Sequence, residues 1–133
     1  MSQLSADDRA EIAELLARYC HAIDQRRWDD FLDLFTEDCR LDFGAVMGVF
    51  EGHDGIRRFM TTMGGLDLFM RHYTTNLVIR GDAARAHADS YVLAITGPAG
   101  SRTHTTGRYE DELVRTRAGW RLHRRRALIE MPV

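Results

Sequence analysis

Apolar positions near the start of the chain recur at helical intervals. Ile12, Leu15, Leu16, Tyr19, Cys20 and Ile23 fall on one face, which predicts an amphipathic helix over residues 5–25. Ser5 stands where an N-cap belongs, and Asp7, Asp8 and Glu11 bring negative charge to the positive end of the helix dipole. A second, short helix is predicted over 28–35, where Phe31, Leu34 and Phe35 share a face. Residues 39–43 alternate like a strand, and 44–48, bounded by Gly44 and Gly48, read as a loop or hairpin connection. Gly52-His53-Asp54-Gly55 is a turn able to cap a third helix over about 54–63, which Gly64-Gly65 stops.

The second half changes period. Segments 73–80, 83–95, 102–115 and 120–129 all read as strands, separated by the turn-like Gly81-Asp82, Gly97-Pro98-Ala99-Gly100 and Arg117-Ala118-Gly119. Links this short favour antiparallel neighbours. Helices first and a long meander afterwards indicate an α+β fold rather than an alternating βαβ one. Such a sheet needs one face covered by helices, and a curved sheet can enclose a pocket against the long first helix.

Composition narrows the class of function. A chain of 133 residues fits one domain, 1–133, large enough for one core, and 44% hydrophobic with 29% charged residues is ordinary globular usage. Eighteen basic residues, every one an arginine, face 20 acidic ones, and a formal net charge of -2 argues against a nucleic-acid partner. The one basic cluster, Arg124-Arg125-Arg126, lies in a segment that alternates like a strand and reads as a partly solvated strand end. Two cysteines, Cys20 and Cys39, are too few for a disulfide framework, so a reduced, cytoplasmic setting is the default. No apolar run approaches the roughly 20 residues that span a bilayer, and no membrane partner is expected. CxxC, HExxH, GxGxxG and P-loop patterns are absent, and no metal or cofactor is expected.

Two ionisable residues stand out by phase. At about 100° per residue from Ile12, Asp24 lies at roughly 120°, inside the apolar arc of the first helix, with Tyr19 near the middle of that arc. A carboxylate turned inward needs partners. Asp24 could instead cap the helix at Trp28 or meet Arg27. His72 begins a strand in Met70-Arg71-His72-Tyr73-Thr74-Thr75-Asn76-Leu77 and shares parity with Thr74, Asn76 and Val78, so one strand face runs from polar to apolar. A hydrogen-bonded or exposed histidine at a strand start would read the same way. Cys20 reads as a small core residue, Met60, Met63 and Met70 as gap-fillers, and Trp120 as an anchor for the sheet.

These stretches carry a resemblance. Tyr19-Cys20-His21-Ala22-Ile23-Asp24, Trp28-Asp29-Asp30-Phe31 and Leu34-Phe35-Thr36-Glu37-Asp38 look like the opening of SnoaL-like domain proteins of the nuclear transport factor 2-like superfamily. His72-Tyr73-Thr74-Thr75-Asn76-Leu77, the segment from Gly107 to Leu113, and Gly119-Trp120-Arg121-Leu122 continue it. The resemblance implies a cone: a curved mixed or antiparallel sheet wrapped around a long N-terminal helix, with three helices and a meander. Within the superfamily the pattern is most similar to scytalone dehydratase, bile-acid dehydratase and hexachlorocyclohexane dehydrochlorinase. That similarity implies Asp24 and His72 as a catalytic pair, with Tyr19, His104, Tyr109 and Arg125 toward the substrate. Arg126 replaces Arg125 if the register slips by one. Gly107 and Tyr109 stand where scytalone dehydratase has a Ser/Asn pair, and His87 and His104 lie near, though not in register with, its second histidine.

An imidazole is neutral and basic near pH 7, and a carboxylate on its other nitrogen fixes the tautomer and raises its basicity. The expected activity is therefore a cofactor-independent lyase or isomerase on a small, apolar, oxygenated ring. A polyketide-type cyclase would use the same pair. A non-catalytic ligand-binding module, or the β subunit of a ring-hydroxylating dioxygenase, is the competing class. The expected partners are a small hydrophobic molecule and further copies of the chain, as a homodimer or homotrimer through the open sheet face.

Overall fold

The computed structural model describes residues 2–130. Helix α1, Ala6–Asp24, starts at a reciprocal cap in which the Asp8 amide donates to Ser5 Oγ at 3.0 Å and the Ser5 amide donates to Asp8 Oδ2 at 3.1 Å. Its apolar face, with Ile12, Leu15, Leu16, Tyr19, Cys20 and Ile23, is buried as the periodicity predicts. The chain reverses at Arg26, whose φ of 56° is left-handed, and enters α2, Trp28–Asp33. Strands β1, Phe35–Asp42, and β2, Val49–Glu51, form a small hairpin, followed by α3, Gly52–Gly64. Strands β3, Phe69–Gly81, β4, Arg85–Gly97, β5, Thr103–Thr116, and β6, Gly119–Glu130, complete the fold.

The six strands form one sheet in the order β2-β1-β6-β5-β4-β3. Every pairing is antiparallel except β1 with β6, so the α+β class and mixed sheet follow the expectation. The sheet curves without closing, and its inner face packs on α1, where Trp120, Leu122 and Leu113 meet Ile12 and Leu16 in the core. Beside them an aromatic cluster fills the space under α3. Phe59 stacks on Phe31 at 5.6 Å and on Phe43 at 5.3 Å between ring centroids.

Three details depart from the sequence reading. α2 ends at Asp33, and Phe35 already pairs with Leu122 of β6, because burial in the sheet outweighs the helical spacing of Phe31, Leu34 and Phe35. Strand β2 spans three residues, too short for a period to register. In β3 the ladder shifts register between Thr75 and Val78, around Asn76 at φ 57°, a conformation that asparagine tolerates. Alternation therefore flips: Leu77 and Ile79 turn toward the core, and Val78, expected on the face of His72, is 61% exposed.

Asp8 ties α1 to the last two strands, accepting from Trp120 Nε1 at 3.0 Å and from Arg115. The Trp120 bond, followed by the Ser5 amide, holds the Asp8 carboxyl below its usual range. A depressed carboxyl contributes stability that is present above the unfolded-state pKa of about 3.9 and lost as pH falls through the folded value. Asp8→Asn is expected to flatten the fall in melting temperature below about pH 4; an unchanged acid limb in thermal melts would sink this assignment.

Candidate active site

Asp24 is the last residue of α1, and the helix phase turns its side chain inward. Its Oδ1 lies 2.5 Å from His72 Nδ1, and its Oδ2 accepts the His72 backbone N–H at 2.8 Å. One carboxylate thus fixes both the start of β3 and the ring it carries. The Asp24 side chain is 3% exposed and that of His72 13%. The alternatives for Asp24 are not realised: α2 has no side-chain cap, and Arg27 faces Asp30. Arg26 donates instead to the carbonyls of Gly64, Leu66 and Leu68, tying the end of α1 to the loop that leads into β3.

Because a carboxylate only accepts, Nδ1 carries the proton of the neutral ring, and Nε2 keeps its lone pair. His72 lines a cavity of about 340 Å³ with Tyr19 and Ile23 from α1, Phe59 and Met63 from α3, and Val92 and Ala94 from β4. Phe43, Val46 and Met47 close one side. The walls are mostly apolar, so water held there has few partners and charge pairs formed there are strengthened. A larger space of about 590 Å³, around the β3 irregularity at Asn76 and Leu77, and a charged hollow of about 310 Å³ on the strands carrying Arg124 and Arg126 do not include the dyad.

Tyr19 and Tyr109 both line the cavity, with ring centroids 6.0 Å apart in an edge-to-face arrangement. Arg125 does not line it. The guanidinium sits behind the two rings, 4.2 Å from Tyr19 and 3.7 Å from Tyr109, and makes a bidentate pair with Asp111 at 2.8 and 2.9 Å. Burial opposes charge on Arg125, yet the Asp111 carboxylate more than offsets it and holds the cation firmly. Burial also pushes the Tyr19 phenol up to about 12, with Arg125 opposing, so the hydroxyl stays a neutral donor.

His104 is exposed on β5, in register with Ile95 and on the opposite strand face from Thr105, and does not line the cavity. His87 likewise lies away from it, on the charged outer hollow. Arg124 and Arg126 point outward to Glu112 and Glu110 at 3.5 Å each, so Arg125 alone of the triplet is inward. Cys20 Sγ meets Thr74 Oγ1 at 3.2 Å, and burial raises its thiol, consistent with a core residue. Met63 and Met70 reach the cavity, whereas Met60 packs on the core. The sequence reading had not marked Asp111, Thr96 or Thr105. Among the described residues no three His, Cys, Asp or Glu side chains converge as a metal site requires, and no helix is long and apolar enough to cross a membrane.

The cone thus holds an inward Asp/His pair beside its helix–sheet cavity. The chain belongs to the SnoaL-like domain family, whose pattern matches residues 5–126. An uncharacterized protein of Mycobacterium tuberculosis is 33% identical over 128 residues, covering 94% of this chain and 87% of that one. A crystal structure described as a candidate aromatic ring hydroxylase from Novosphingobium aromaticivorans superposes with a TM-score of 0.85 at 34% identity, covering 96% and 92% of the two chains. The same fold recurs in a candidate scytalone dehydratase from N. aromaticivorans, with a TM-score of 0.83, 23% identity and coverage of 96% and 89%. It recurs again in a hexachlorocyclohexane dehydrochlorinase, with a TM-score of 0.85, 18% identity and coverage of 95% and 90%.

Proposed function

We propose that this chain is a cofactor-independent lyase or isomerase acting on a small oxygenated ring. The observation that carries the reading is the 2.5 Å contact between Asp24 Oδ1 and His72 Nδ1, with His72 lining a mostly apolar cavity of about 340 Å³. Nε2 takes a proton from a ring carbon acidified by a neighbouring carbonyl or aromatic system, and the C–H electron pair moves into a new π bond. In an elimination the bond to the β-oxygen or halide breaks with its electrons, and the imidazolium returns its proton to a departing hydroxide, which leaves as water. In an isomerisation the proton goes back to a different carbon. Asp24 stabilises the imidazolium and keeps the ring in place throughout. The neighbour described as a candidate aromatic ring hydroxylase supports a second reading, a non-catalytic ligand-binding module or ring-hydroxylating dioxygenase β-subunit-like chain. In that case the dyad would only orient a ligand.

The decisive experiment is a screen of the wild type and His72→Ala against ring alcohols and β-hydroxy or β-halo cyclic ketones, following loss of water or halide. Turnover by the wild type that falls at least 100-fold in His72→Ala supports the lyase. Turnover that survives the substitution removes His72 from the mechanism.

A further inference from the structure

The cavity wall facing α1 is a set of strands in register. His72 of β3 pairs with Ala94 of β4, and Ala94 pairs with Thr105 of β5, so the three form one row across the sheet. Adjacent strands lie about 4.8 Å apart, which places Thr105 roughly 10 Å from His72 between backbones. Only the methyl group of Ala94 stands between them. The next row on the same face runs Thr74, Val92, Gly107, and Gly107 has no side chain to raise the floor. None could be added there, since a Cβ would come 2.6 Å from the Leu128 carbonyl oxygen. The surface between imidazole and threonine is therefore low enough for a flat molecule to lie across it.

Thr105 and Thr96 both line the cavity and are half-buried. They are diagonal neighbours, because Thr96 pairs with Thr103, two residues before Thr105. Neither hydroxyl makes a hydrogen bond within the described residues. Valine would fill the same volume with no polar atom, so in a mostly apolar cavity the two hydroxyls are meaningful for what they can bind. A ligand that displaces water from them without offering an oxygen leaves them unpaired, at the cost that attends any desolvated polar group.

Building on the dyad reading above, we propose that Thr105, assisted by Thr96, anchors a second oxygen function of the ligand, a hydroxyl or a carbonyl. This oxygen sits at the end remote from the carbon that His72 addresses. The pair is thus a specificity determinant that selects flat molecules oxygenated at both ends over those oxygenated at one.

The test is calorimetric binding of 4-hydroxyacetophenone and acetophenone to the whole chain. The wild type is expected to prefer the hydroxylated compound by roughly tenfold. Thr105→Val, which keeps the shape of the side chain, is expected to bring the preference within about twofold. Thr96→Val produces a smaller fall. The preference is read from binding without turnover, so loss of the proton-transfer reading and loss of this one are separable. The proposal is overturned if the wild type shows no preference or binds neither compound at millimolar concentration, or if the Thr96→Val, Thr105→Val double variant, still folded by circular dichroism, keeps the wild-type ratio.

Discussion

Asp24→Asn is expected to lower kcat by roughly 10²–10⁴-fold while leaving the fold intact. The reason lies in what Asp24 accepts. Its two oxygens receive two donors, the His72 backbone N–H at 2.8 Å and the ring Nδ1–H at 2.5 Å. An asparagine has one oxygen and one amide nitrogen to offer. If the oxygen keeps the backbone bond, which holds β3 in place, the amide nitrogen faces Nδ1 and must donate to it. The ring proton then moves to Nε2, and the lone pair on that nitrogen disappears. The substitution is nearly isosteric, so it removes the base by inverting the tautomer and not by opening a hole. The 15N spectrum of His72 reads this without any substrate. Near neutral pH the wild type should show the proton on Nδ1, and Asp24→Asn should show it on Nε2. Identical tautomers in the two proteins would sink the argument, whatever the rates.

Much of this arrangement is legible in the sequence, and what is not has definite physical reasons. The α1 face follows from spacing alone, and the same phase that buries Ile12 and Tyr19 turns Asp24 inward. Strand parity offers His72 a place on an inner face, but only as far as Asn76, where the left-handed residue breaks the alternation and sends Val78 outward. Neither periodicity places the end of α1 beside the start of β3. That meeting depends on the reversal at Arg26 and on its three bonds to the following loop, which are tertiary contacts; the family resemblance, not the pattern, joins the pair. His104 is a different case, since it is an odd number of positions from Tyr109 and an unbroken strand puts the two on opposite faces. Alternation by itself separates them, and similarity to a distant dehydratase is the weaker guide.

The arginine triplet shows what register adds. Glu110-Asp111-Glu112 and Arg124-Arg125-Arg126 are complementary runs in the sequence, and β5 and β6 pair them one to one. Arg124 and Arg126 are solvated, as expected of a partly solvated strand end, but the triplet lies in the middle of β6 and not at its end. For Arg125 the solvation fails as well, because the central members of both runs face the core, and their alignment depends on the 117–118 turn together with a register shift after Glu112. This inward pair supports the two tyrosines from behind, so the cavity floor rests on a buried salt bridge.

That support sets a large stability effect for a single substitution. Asp111→Ala leaves the Arg125 guanidinium, whose side chain is 0% exposed, without its counter-ion. One of its nitrogens, Nη1, already has no hydrogen-bond partner among the described residues. Breaking a buried pair by removing one partner costs about 3–5 kcal/mol, which in a domain of this size corresponds to a fall of roughly 10–25 °C in Tm. Glu112→Ala removes the partner of Arg124 in the neighbouring exposed pair and should cost less than about 1 kcal/mol. The Asp111→Leu, Arg125→Met double variant removes both charges at similar volume and is expected to recover most of the loss, while ligand affinity stays low because Tyr19 and Tyr109 lose the cation behind their rings. Thermal melts of the four proteins decide it: if Asp111→Ala melts within a few degrees of the wild type, the pair does not hold the floor of the cavity.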